Sequence, residues 1–261
     1  MISLKNRGNK SISKNIIVIS FLLFISCKQV DQPKLTIATA ANMQFAMHEL
    51  CDSFTVETGI ECETIISSSG KLTAQIKEGA PFDIFVSADM KFPNDLFEGG
   101  FTTSKPLIYA YGKLIIWSMI KDTDPTFEGL TNNNIKHIAI ANPKIAPYGL
   151  SAIEVLKKKN IYNVIKEKLV FGESVAQTNQ FITSKVVEIG FTAKSVVLSA
   201  KMKNKGNWTE VDPNLYTPIA QGIVVLNNRN EFLPQAKRFN VFLFSEKGKE
   251  ILNKFGYSVN N

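Results

Sequence analysis

A chain of 261 residues, 44% of them hydrophobic, has material for one large α/β body or two smaller ones with a sizeable core. Its formal charge is +7, but Lys5, Arg7, Lys10 and Lys14 supply four of those charges within the first 26 residues, which hold no acid, so the remainder carries only +3. That mild balance, without a basic stripe interleaved with aromatics, argues against a nucleic-acid partner. Two histidines and no Cys/His cluster argue against a transition-metal cation site.

Residues 1–27 read as a targeting segment. A basic start leads into the apolar run from Ile16 to Phe24, followed by Ile25-Ser26-Cys27, too short for a spanning helix. Small residues ahead of Cys27 resemble a bacterial lipobox, in which the cysteine is lipidated and becomes residue one. An ordinary secretory signal with an incidental cysteine is the alternative. Residues 28–33 form a polar tether. The two other cysteines, Cys51 and Cys62, are either a disulfide of an exported protein or two small buried hydrophobes.

Beyond the tether, strand and helix patterns alternate, which predicts parallel sheets. Leu35–Ala38 is a buried strand, and Met43, Ala46, Met47, Leu50 and Phe54 mark one face of the helix after it, with Asn42 at the N-cap position. Residues 61–66 form the second strand. After Ser67-Ser68-Ser69-Gly70 comes a helix carrying Leu72 and Ile76. Asp83–Ser87 is the third strand, and Ala88-Asp89 opens a helix ending at Gly99-Gly100. Leu114–Trp117 and His137–Ile140 are two more strands; Pro147 and Tyr148 open a helix that fades into Lys157–Lys159. Phe171–Val175 leads into another helix, Val186–Phe191 is a strand, Ile223–Leu226 is the last strand, and two helices finish the chain. These strands are too many for one compact sheet. Two lobes joined by crossovers near Ala110–Lys113 and Tyr216–Asn228 reconcile the count, with lobe 1 at 34–112 plus 229–261 and lobe 2 at 113–228.

Five strand-to-helix junctions stand out: Asn42, Ser69-Gly70, Ala88-Asp89, Tyr148-Gly149 and Ser174-Val175. A helix N-terminus at the carboxyl end of a strand presents unpaired amides and the positive end of the helix dipole. If all five face one cleft, it is lined by neutral donors, which suits a small ionised oxyanion whose oxygens only accept. Each residue taken singly is better explained as a plain N-cap or turn residue than as a ligand. A serine hydrolase is the competing class. However, no Gly-x-Ser-x-Gly elbow surrounds Ser67, Ser68 and Ser69, and a base would have to come from His48 or His137. No phosphate loop of the Gly-x-x-x-x-Gly-Lys type is present.

Ala40-Ala41-Asn42, Ser68-Ser69-Gly70-Lys71-Leu72, the stretch from Gly79 to Asp89 (GAPFDIFVSAD) and the ending Phe255-Gly256-Tyr257 resemble the molybdate-binding proteins of bacterial ABC importers. The resemblance covers about residues 34–257 and is most specific at Gly79–Asp89. It implies a two-lobed periplasmic-binding fold (type II), each lobe a mostly parallel sheet flanked by helices, that closes on molybdate or tungstate. It implies a monomer that is not an enzyme, holds no cofactor, and delivers its anion to a permease with its ATPase. Carried across residue by residue, the family's ligands fall on Asn42 and Ser69, on the backbone of Ala88, and on Tyr148 and Val175 in the second lobe. Some members have Ser in place of Asn42, and some a ligand Tyr near Ala193, where this chain has no hydroxyl; Tyr148 is left to bind by hydroxyl or by backbone N–H. The sequence thus leads to a lipid-anchored, exported oxyanion receptor, with a sulfate or phosphate receptor and a serine hydrolase as alternatives.

Overall fold

The computed structural model describes residues 34–259; the targeting segment, Cys27 and the tether lie outside the described residues. Among the described residues, ten strands divide into two five-stranded sheets. The first sheet takes β1 (Leu35–Ala40), β2 (Cys62–Ser67), β3 (Ile84–Val86), β4 (Leu107–Gly112) and β10 (Ile219–Val225), in the order β2-β1-β3-β10-β4. The second takes β5 (Leu114–Ser118), β6 (Ile138–Ala141), β7 (Leu169–Gly172), β8 (Ile189–Ala193) and β9 (Asn207–Glu210), in the order β7-β6-β8-β5-β9.

Both sheets follow one plan. β1 pairs in parallel with β2 and β3, as β6 does with β7 and β8. One strand in each sheet is inverted, β10 in the first and β5 in the second. Each inverted strand is the one that has just arrived from the other lobe. Central strands are almost wholly buried and mostly apolar, whereas the edge strands β2 and β7 are only half-buried.

Helices cover both faces. α1 (Gln44–Thr58), α9 (Leu233–Leu243) and α10 (Glu246–Lys254) pack on one side of the first sheet, with Phe54 edge-on to Phe239 at a centroid distance of 5.1 Å. α2 (Ser69–Lys77) and α3 (Lys91–Glu98) cover the other side through Leu72, Ile76 and Leu96. In the second lobe, α4 (Phe127–Thr131), α5 (Pro147–Lys158), α6 (Tyr162–Ile165), α7 (Val175–Thr183) and α8 (Lys194–Val197) enclose a core centred on Trp117, Ile138, Ile140 and Leu156.

The chain crosses between lobes twice. The first crossing is the single residue Lys113 between β4 and β5; the second runs from Glu210 to Ile219. Ala110–Gly112 therefore belongs to a strand and not to a crossover. The second border also shifts: β10 hydrogen-bonds between β3 and β4 in the first sheet, so the return to lobe 1 is complete by Ile219 and not at residue 228. The strand expected at Val186–Phe191 forms at Ile189–Ala193, because Lys185 takes a positive φ of 59° in the turn ahead of it. Cys51 and Cys62 are free thiols, one buried and one half-buried.

Candidate functional site

The carboxyl ends of β1, β2 and β3 in the first sheet meet those of β6 and β7 in the second across the interlobe seam. There Ala40, Ala41 and Ala88 of the first lobe pack in one apolar cluster with Ala146, Tyr148 and Val175 of the second. All five residues expected to hold an oxyanion are buried at this seam: Asn42, Ser69, Ala88, Tyr148 and Val175.

Two of them touch directly. Ser69 is the first residue of α2, and its Oγ accepts the Ala88 N–H at 3.0 Å. With its oxygen engaged in this way, the Ser69 hydroxyl proton is free to be donated. Gly70, next in the first turn, sends its N–H across the seam to the Ile145 carbonyl at 2.9 Å. Asp89 stays local; it accepts from Ser87 Oγ and from the Phe92 N–H at the start of α3, two residues later than the expected helix opening. Burial raises the Asp89 carboxyl above its ordinary value, against the lowering effect of these hydrogen bonds.

Asn42 departs from expectation. The chain makes a short 3₁₀ turn over Ala41–Met43 before α1 begins, so Asn42 lies inside the turn and caps nothing. Its side chain points instead into a buried network. Nδ2 donates to Gln221 Oε1 at 2.9 Å and to the Tyr257 hydroxyl at 3.0 Å, while the main-chain carbonyl of Asn42 accepts from the Tyr257 hydroxyl and from Ser195 Oγ of the second lobe. Gln221 Oε1 also accepts from Tyr109, and Gln221 Nε2 donates to the Tyr148 hydroxyl at 3.2 Å. Asn42 and Tyr148 are thus brought together through Gln221. Desolvation by burial pushes Tyr109, Tyr148 and Tyr257 above the ordinary tyrosine value, so each phenol keeps its proton at neutral pH.

Val175 opens α7, and Ser174 ahead of it is a true N-cap whose side chain accepts the Gln177 N–H. Tyr148 is the second residue of α5, after Pro147. At these positions the main-chain N–H precedes the first intrahelical bond and is available to an acceptor. Three buried oxygens near the same strand ends, Thr39 Oγ1, Asn42 Oδ1 and Ser68 Oγ, have no partner within the chain. The two hydroxyls, Thr39 and Ser68, are costly in that state and mark a place where a polar acceptor is expected, whereas Asn42 Oδ1 can itself only accept. Among the described residues, no group of three His, Cys, Asp or Glu side chains is placed to hold a metal cation. His48 pairs with Asp52 and His137 with Glu188, each on an exposed surface.

Gln221, Tyr109, Tyr257 and Ser195, which complete this buried network around Asn42 and Tyr148, were not picked out from the sequence as ligands or supports. Tyr257 lay within a quoted motif. Gln221 carried a faint signal, a lone amide before Gly222 in the otherwise apolar run of β10.

The profile of the bacterial extracellular solute-binding proteins matches residues 35–258. The molybdate-binding protein ModA of Azotobacter vinelandii is 34% identical over 251 residues, 95% of this chain and 98% of that protein. ModA of Rhodobacter capsulatus is 36% identical over 84% of this chain and 86% of its own length. The solved structure of the Azotobacter vinelandii periplasmic molybdate-binding protein superposes with a TM-score of 0.82 at 32% identity, covering 87% of this chain and all of that one. The two-lobed arrangement of mixed sheets is that of the periplasmic binding proteins, and the chain belongs to the bacterial extracellular solute-binding proteins, a family of receptors and not of enzymes, in the branch that includes these molybdate-binding relatives.

Proposed function

We propose that this protein is the substrate-binding component of an ABC importer, which closes its lobes on molybdate and hands the anion to a permease with its ATPase. The observation that carries this reading is the interlobe seam itself: buried, built from neutral groups, and rich in hydroxyl and helix-start N–H donors from both lobes. A tetrahedral dianion needs several donors and no counter-charge in such a place. Ser69, the Ala88 backbone whose N–H is already engaged by Ser69 Oγ, and the 3₁₀ turn at Asn42 form the first-lobe half, and Tyr148 and Val175 form the second. Tungstate, of the same shape and charge, is bound as well. Sulfate is smaller, so some donors lie out of its reach. Each buried donor left unfilled costs about 1–3 kcal/mol, which sets the selectivity. The receptor acts as a monomer on the outer side of a membrane, held there by a lipid on Cys27.

A thermal-shift panel with molybdate, tungstate, sulfate and phosphate tests the reading. A ligand at a hundred times its Kd adds about 2.7 kcal/mol, which raises the melting temperature of a chain this size by roughly 5–11 °C. Molybdate and tungstate are expected to give that rise and sulfate and phosphate a small fraction of it. Equal shifts for all four anions, or none for any, would refute the assignment.

A further inference from the structure

This inference rests on the receptor reading and concerns a residue outside its donor set. Gln221 is wholly buried in β10, and both ends of its amide are engaged. Oε1 accepts the Tyr109 hydroxyl at 2.6 Å and Asn42 Nδ2 at 2.9 Å; Nε2 donates to the Tyr148 hydroxyl at 3.2 Å. Gly112, at the end of β4 where the chain leaves the first lobe, backs directly onto this pair. A Cβ there would lie 2.1 Å from the Tyr148 hydroxyl and 2.3 Å from Gln221 Nε2, so the crossing holds the two groups together.

Counting protons shows what the amide decides. The Tyr148 oxygen receives an N–H from Gln221, so the proton of Tyr148 itself is left to give. Asn42 Nδ2 has two protons, and both are spent, on Gln221 and Tyr257; what remains of that side chain is the acceptor Oδ1, buried without a partner. An oxyanion takes only donors. In this arrangement Tyr148 offers one from its side chain and Asn42 does not, leaving Asn42 its main-chain N–H. Turning the Gln221 amide end for end reverses the roles: Oε1 takes the Tyr148 proton, and Nε2 meets Asn42 Oδ1 and releases Nδ2. The Tyr109 hydroxyl donates to Oε1 at 2.6 Å in the first orientation; in the second it would accept from Nε2 and turn its proton to the Ser87 carbonyl, 3.3 Å away, a longer and weaker bond, which favours the first.

We propose that Gln221 is a positioning residue of the oxyanion site, whose amide directs the Tyr148 hydroxyl proton to the anion and keeps the Asn42 side-chain N–H groups turned inward.

The test is a double-mutant cycle on molybdate affinity, read by titration calorimetry, with Ser69→Ala as a control for the site. Gln221→Glu puts an oxygen where Nε2 was, so the Tyr148 proton is drawn to the carboxylate. Tyr148→Phe is expected to weaken binding by roughly ten- to a hundredfold in the parent but by less than about threefold in the Gln221→Glu background. Gln221→Met, similar in size and without either amide end, covers a failure of Gln221→Glu to fold, and there too the cost of Tyr148→Phe is expected to shrink. A residue that merely supports the fold would lower stability and affinity but leave the cost of Tyr148→Phe unchanged. An equal cost in all backgrounds overturns the proposal, as does a Tyr148→Phe protein that binds like the parent. A parent that ignores molybdate, or a Ser69→Ala variant that binds normally, sinks the receptor reading and this assignment with it.

Discussion

The Gly70 N–H donates to the Ile145 carbonyl at 2.9 Å, a main-chain hydrogen bond between the two lobes at the seam edge farthest from the crossings. Beside it Lys71 pairs with Glu173, again one residue from each lobe. Both side chains of that ion pair are largely exposed, so it contributes at most about 1 kcal/mol and less in salt. The backbone contact is of another kind. It requires the two chains to approach within hydrogen-bond distance, and position 70 allows this by having no Cβ.

Gly70→Ala therefore tests closure. The added Cβ would lie 2.9 Å from Ile145 Cβ and 3.0 Å from both Ile145 Cα and Phe92 Cζ. Relieving an overlap of that size costs typically about 1–3 kcal/mol; the two Ile145 contacts load it onto the closed state, while the tip of the Phe92 ring, in the same lobe as Gly70, must turn aside whether the lobes are open or closed. Molybdate affinity is expected to drop about five- to a hundredfold, while the melting temperature without ligand stays near that of the parent. Small-angle scattering with saturating molybdate checks the cause, since the variant should close less completely. An unchanged affinity would mean that the seam does not form in the liganded protein.

Ser69→Ala removes one donor and leaves the backbone in place. A hydrogen bond to an ionised ligand is worth about 1.5–3 kcal/mol, so molybdate binding is expected to weaken by roughly ten- to a hundredfold, with a stability loss of about 1 kcal/mol because the buried Ala88 N–H loses its acceptor. Asn42→Ala behaves differently, because its amide holds Gln221 and Tyr257 in the buried network. It is expected to lower the unfolding free energy by about 1–3 kcal/mol as well as affinity. Chemical denaturation beside calorimetry separates the two patterns, and identical behaviour of the two variants contradicts it.

The fold was legible wherever a pattern was local. The apolar run of β1, the face of α1 and the polar or glycine residues after each parallel strand are sequence-adjacent, and they pointed to five junction residues that the structure buries at the seam. What depended on long-range pairing was not legible. β10 has the same apolar pattern whichever sheet receives it, so nothing local assigned it to the first lobe. The polar edge strand β9 gave no periodic signal. Asn42 looked like a cap because its residue type and spacing fit one; only the intervening 3₁₀ turn, and partners 179 and 215 residues away, turn it inward. The network around Gln221 joins Asn42, Tyr109, Tyr148 and Tyr257 to it, residues from five separate parts of the chain that no spacing rule connects.

Cys27→Ala tests the anchor. The basic start, the short apolar run and Ile25-Ser26-Cys27 together motivate a lipidated cysteine. In cells producing the protein, the substitution is expected to move it from the membrane fraction to the soluble fraction, and the parent's mature mass should include acyl chains. Unchanged fractionation, with a parent mass lacking acyl chains, would remove the lipid from the account.

The last prediction concerns pH and the crossing. Glu210, at the end of β9, pairs with Lys194 and with Lys113, the single residue that joins β4 to β5. Partial burial alone would raise its carboxyl, but the two ammonium groups outweigh that and hold it below the ordinary glutamate value of 4.5. A carboxyl with a depressed folded-state pKa stabilises the fold fully above its unfolded value, and the contribution is lost as pH falls from there through the folded value. The three side chains are partly exposed, so solvent screening limits the gain to about 0.5–1 kcal/mol. Glu210→Gln is expected to cost that much at neutral pH. Below both values the parent's Glu210 is itself neutral, and the two proteins should become equally stable. Urea unfolding of parent and variant at neutral pH and at successively lower values gives the comparison. A difference that persists unchanged into acid would show that Glu210 acts by packing or hydrogen bonding and not by its charge.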